Sequence, residues 1–201
     1  MVRLFRSVHA MLAVAAIAVL TACGDPPAGP ASLQAEPSLI IADAASGLGD
    51  PHFYWLPPTV PNNPVFSGVF AKKLSPKVTI CEWDGFACGA TVAHFTRTEG
   101  TGGQVIAENT KSPSYRVSWI SSYCDAAGQC PIKSTKSYRM TVTVPGVAGV
   151  DLPLGYADIK VVNSLTEQMR VDRTQYVPLM PGRLLGIAFR IETGVVGMAT
   201  Q

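Results

Sequence analysis

Two stretches alternate apolar and polar residues with a period of two. "SYRVSWI" (114–120) puts Tyr115, Val117 and Trp119 on one face and Arg116 and Ser118 on the other; "SYRMTVTV" (137–144) lines up Tyr138, Met140, Val142 and Val144. Successive side chains of a strand point to opposite sides, so this pattern requires a sheet with one face buried. The same device recurs in "VFSGVF" (65–70), in "KVTICEW" (77–83), and in "ATVAHFT" (90–96), where Ala93 and Phe95 oppose Val92 and His94. "YADIKVV" (156–162), "QYVPL" (175–179) and "RLLGIAFRIE" (183–192) add further strands, with a weaker one at 104–108. Turn formers separate them, and "VPGVAGVDLPLG" reads as a loop. Pro and Gly account for 34 of 201 residues and charged residues for only 15%, which favours β structure over a helical bundle. Six to eight strands at this spacing predict an all-β fold, a two-sheet antiparallel β-sandwich rather than a barrel. One short helix is expected near 164–170, where Ser164 and Glu167 form the S-x-x-E of a capping box. No alternation of strands and helices suggests a doubly wound nucleotide fold.

The N-terminus carries a different signal. Arg3 and Arg6 precede an uncharged run whose centre, "AMLAVAAIAVL", is eleven residues long. A membrane-spanning helix needs about 20 apolar residues, so the run fits an export signal better than a span. It ends in Leu20-Thr21-Ala22-Cys23, which resembles the lipobox of bacterial lipoproteins. The resemblance implies cleavage before Cys23 and attachment of diacylglycerol to its sulfur, usually with a third acyl chain on the freed amine. At roughly 0.8 kcal/mol per buried CH₂, two or three acyl chains hold where one does not. Residues 1–22 are then a signal peptide. Residues 23–50, rich in Pro, Gly, Ala and Ser, read as a flexible tether with a reach of roughly 30 Å. Residues 51–201 form the sandwich domain. Gly24 follows the cysteine and Asp25 comes one place later, which within that family favours the outer membrane over the inner.

Loss of residues 1–22 removes Arg3 and Arg6 and no acid, so 16 basic residues become 14 against 14 acidic ones. Without a cationic excess to displace phosphate counterions, nucleic acid is not an expected partner. Export would place Cys81, Cys88, Cys124 and Cys130 in an oxidising compartment, where an even count reads as disulfides. Three connectivities exist. The local pairs Cys81–Cys88 and Cys124–Cys130 bracket turn-like segments and are preferred, at about 2.5 kcal/mol each; crossed bridges would yield about 4 kcal/mol, so energy alone does not choose. Gaps of six and five residues exceed the usual spacing of paired zinc ligands, so no metal is expected, and no cofactor.

Catalytic candidates are sparse. His52 and His94 are the histidines beyond the leader. No G-x-S-x-G elbow accompanies them, and a hydrolase built around His94 would need an acid beside it in a pocket. Glu82 and Asp84 are two apart on an expected strand and read as a solvated rim. The cluster Phe53, Tyr54 and Trp55 is either an exposed patch for a glycan or protein, or a first strand whose rings close the core. Trp83 and Phe86, in the loop closed by Cys81 and Cys88, are candidates for a binding surface, as is the loop 121–131. The body resembles, through its strand pattern, its YxVxW stretch and its closing "FRIE", the immunoglobulin-like and prealbumin-like sandwich modules of bacterial surface proteins, including uncharacterised domains of exported proteins. That resemblance brings no activity. The resulting expectation is a non-catalytic, lipid-anchored binding or structural module of the cell envelope, meeting an envelope protein or a glycan. The alternatives are an accessory subunit that assembles by strand addition through an edge near 65–70 or 183–192, and a hydrolase using His94.

Overall fold

A computed structural model of the chain describes residues 41–122 and 132–195. Among them nine strands pack as two sheets. The four-stranded sheet runs β1 (Phe53–Trp55), β9 (Leu184–Ile191), β5 (Ser114–Ile120) and β4 (Ala107–Asn109). The five-stranded sheet runs β3 (Cys88–Phe95), β2 (Lys77–Trp83), β6 (Ser137–Pro145), β7 (Asp151–Val161) and β8 (Val177–Leu179). The fold is the all-β sandwich that the alternation predicts. Tyr115, Val117 and Trp119 of β5, Tyr138, Met140, Val142 and Val144 of β6, and Ala93 and Phe95 of β3 are all buried in a single core. At its centre Tyr115 stacks on Phe189 with ring centres 5.7 Å apart, and Trp55 meets Phe189 edge to face at 6.1 Å. Offset and edge-on pairs of this kind add to the stabilisation from area burial.

One pair departs from the antiparallel pattern. β7 and β8 run parallel, Ile159 beside Val177 and Val161 beside Leu179. Parallel neighbours need a crossover connection, and the helix α1 (Leu165–Arg170) supplies part of it. α1 starts at Ser164 as predicted, with the reciprocal bond of the capping box displaced by one residue. The Ser164 hydroxyl accepts from the Glu167 amide at 3.1 Å, and the Glu167 carboxylate reaches back to the Asn163 amide at 2.9 Å.

Three expectations are corrected. First, β7 begins at Asp151, within the stretch expected to be a loop. Pro153 and Gly155 disguised it. Pro153 sits beside a register shift between Val142 and Thr143, where a ladder tolerates proline. Gly155 is required because a Cβ there would lie 2.6 Å from the Phe53 ring and 2.3 Å from the Ala42 carbonyl. Second, 65–70 forms no strand; its backbone pairs with the sheet at an isolated bridge from Phe70 to Glu192. The segment wraps a cation instead. Arg190 donates to the Gly68 carbonyl at 3.0 Å and to Glu192 at 3.2 Å, with its guanidinium 4.5 Å from the Phe66 ring centre. Third, residues 41–50 are not free tether. Ile41 is in the core, Ala42 bridges to Tyr156, and Asp50 donates its amide to the Leu154 carbonyl. The segment thereby covers the edge of β7 that β8 is too short to reach, and burial of exposed edge groups is what a sheet requires there.

Candidate binding face

The hairpin joining β2 to β3 is fastened three ways. Cys81 and Cys88 form a disulfide with Cα atoms 5.5 Å apart. Inside the loop, Asp84 Oδ1 accepts from the amides of Phe86 and Ala87, each at 2.8 Å. These bonds, Ala87's foremost, hold the Asp84 carboxyl below its ordinary pKa because they favour the charged form. Gly85 takes a φ of 103°, which a residue with a Cβ resists. Together these hold up one apolar side chain: Phe86 is 85% exposed.

The outer face of the five-stranded sheet continues from this hairpin. Trp83 ends β2, and across β6 and β7 lie Arg139, Tyr156 and Asp158. The Arg139 guanidinium lies 3.5 Å from the Trp83 ring centre and 3.9 Å from that of Tyr156. Its Nε and Nη2 donate to the two carboxylate oxygens of Asp158 at 2.7 and 2.9 Å. Asp158 is buried, while Trp83, Arg139 and Tyr156 are half-buried. A planar cation between two rings, forked onto a carboxylate, is held along every direction it could swing. The Trp83 indole N–H is buried with no acceptor among the described residues. Glu82, next to Trp83, pairs with Lys136 at 3.1 Å.

The residues proposed from the sequence divide clearly. Trp83 and Phe86 come together on the bridged hairpin. Of the two readings of Phe53, Tyr54 and Trp55, the first strand whose rings close the core holds, and the exposed patch is corrected. β1 pairs with β9, which turns Phe53 and Trp55 into the core, and Tyr54 on the opposite side is covered by Phe66 at 5.7 Å, edge to face. Asp84 belongs to the loop and turns to its amides, so it forms no carboxylate pair with Glu82. His94 is exposed on β3, and its ring has no hydrogen bond or ion pair with any described residue. Cys23, and the pair Cys124 and Cys130, lie outside the described residues. Among the described residues no group of three His, Cys, Asp or Glu is placed to hold a metal, and no helix is long and apolar enough to cross a membrane.

Sequence reasoning missed Arg139, Tyr156 and Asp158. The signal was present but weak: alternation puts Arg139 outward on β6 and places Tyr156 and Asp158 on one face of β7. Their pairing depends on register, Arg139 opposite Asp158, which the two strands reveal only when aligned. Comparison of the chain with protein families, curated proteins and solved structures finds no match.

Proposed function

We propose that the chain is a lipid-anchored recognition module of the bacterial cell envelope. Cys23 carries the acyl chains, the intervening residues act as a spacer, and the sandwich presents the bridged β2–β3 hairpin to an envelope protein or glycan. The outer membrane is the favoured location. The supporting observation is Phe86, a large apolar side chain held in water by a disulfide, an Asp84 turn and a glycine. Ordering a loop costs conformational entropy, and a pre-ordered aromatic saves that cost at the moment of binding. Exposed aromatics on rigid supports are also what anchors most interfaces.

A decisive measurement compares retention on envelope extract and on isolated cell-wall glycan for the wild-type chain and Phe86→Ser. Loss of retention with an unchanged melting temperature supports the reading; equal retention overturns it. Radiolabelled palmitate should enter the wild-type chain in its host and should not enter Cys23→Ala. A second reading, assembly by strand addition, draws on a different observation. The edges named from the sequence are unsuited, because 65–70 is no strand and β9 is flanked by β1 and β5. The outer edge of β3 is the alternative: Cys88–Thr91 are exposed. Proline at Ala90 would block pairing there without touching Phe86.

A further inference from the structure

At the opposite edge of the five-stranded sheet from β3, a groove of about 730 Å³ opens between α1, β8 and the start of β9. Its volume lies within the range of small-ligand sites, roughly 300–1,000 Å³. Three strongly exposed apolar side chains line it: Met169 at 79%, Leu165 at 64% and Leu184 at 61%. Leu165 and Met169 are four apart on α1, hence on one helical face. Met180 completes this side, and an unbranched thioether adapts to irregular apolar shapes. The charges are of one sign. Arg173 and Arg183 line the groove, and no carboxylate does. Arg183 is exposed, and its guanidinium has no hydrogen bond or ion pair with any described residue; Arg173 spends one N–H on the Pro58 carbonyl at 2.9 Å.

We infer that this groove binds a single-chain anionic amphiphile, a long-chain fatty-acyl anion, with its tail along Leu165, Met169 and Leu184 and its carboxylate at Arg173 and Arg183. An apolar lining asks for a hydrocarbon, and two guanidinium groups with no carboxylate partner among the described residues ask for an anion of forked geometry. The concavity favours one molecule over a flat lipid surface. This site is distinct from the Phe86 hairpin and stands whether or not that reading does.

The experiment is equilibrium binding of palmitate, below its micelle concentration, to the full chain. Hexadecanol keeps the tail without the charge, and butyrate keeps the charge without the tail. Saturable palmitate binding is expected, with hexadecanol and butyrate both much weaker. The double variant Arg173→Gln, Arg183→Gln should weaken palmitate about tenfold or more, since hydrogen bonds to charged groups are lost. Met169→Glu should abolish binding by placing a like charge in the tail path. These positions are exposed, and circular dichroism confirms that the variants fold. Three results would overturn the inference: palmitate binding that both variants leave unchanged, hexadecanol binding as tightly as palmitate, or no palmitate binding while anionic vesicles retain the chain, which would make the patch a membrane-docking surface instead.

Discussion

Tyr115 joins two jobs in one side chain. Its ring stacks on Phe189 in the core, while its hydroxyl donates to the Ala71 carbonyl at 2.7 Å and accepts from the Leu74 amide at 2.9 Å. It therefore pins the 71–74 segment to the four-stranded sheet. Tyr115→Phe keeps the ring and strands a buried carbonyl and a half-buried amide, at a cost of about 1–3 kcal/mol; denaturant unfolding of the two chains measures this. Burial pushes the phenol up to about 12. Because the folded value exceeds the unfolded one near 10, the contribution is complete below pH ~10 and is lost as pH rises toward about 12. An alkaline absorbance titration should show Tyr115 and Tyr138, both raised by burial, ionising late, and the step near 12 should be missing in Tyr115→Phe. Alternation marked Tyr115 as a core residue. It gave no hint of the hydroxyl's partners, because they lie on a segment without periodic structure.

At the level of elements, the β2–β3 hairpin offers a local pH dependence. The Asp84 carboxyl is held below its ordinary pKa, so the turn it makes is intact above the unfolded value near 3.9 and loosens only as pH falls through the lower folded value. Protection of the Phe86 and Ala87 amides, taken relative to their intrinsic exchange rates at each pH, should fall at acid pH, and should be low at neutral pH in Asp84→Ala while the core strands stay protected. Slow exchange in that variant would show that the disulfide alone orders the tip. β2, β5 and β6 were legible because each buries one face and carries no breaker in its interior. The first half of β7 was not, since its Pro153 and Gly155 answer to a register shift and to the Phe53 ring. Nor was the fate of 65–70: its alternation is that of a strand, but the two rings that suggested a buried face close around Arg190, more than a hundred residues further along the chain.

For the whole molecule, the domain boundary matters most. Ile41 is in the core, and Asp43 Oδ2 accepts from the Trp55 amide at 3.1 Å while Trp55 donates its indole N–H to the Tyr156 carbonyl at 3.2 Å. A chain starting at residue 51 loses the first of these bonds and a buried isoleucine worth about 1.5–3 kcal/mol. Its melting temperature should fall by roughly 5 °C or more relative to one starting at residue 36; equal melting would mean that 41–50 adds nothing to the fold. What the sequence determined by itself was the class of the fold, the inward faces of its long strands and the start of its helix, because period-two alternation and capping are local and act through neighbours in the chain. Tertiary structure alone decided that Phe53, Tyr54 and Trp55 go inside, that Arg139 lies between Trp83 and Tyr156, and that 41–50 completes a sheet edge. Each of those depends on which distant backbone lies alongside, and that is settled by burial of the whole core at once.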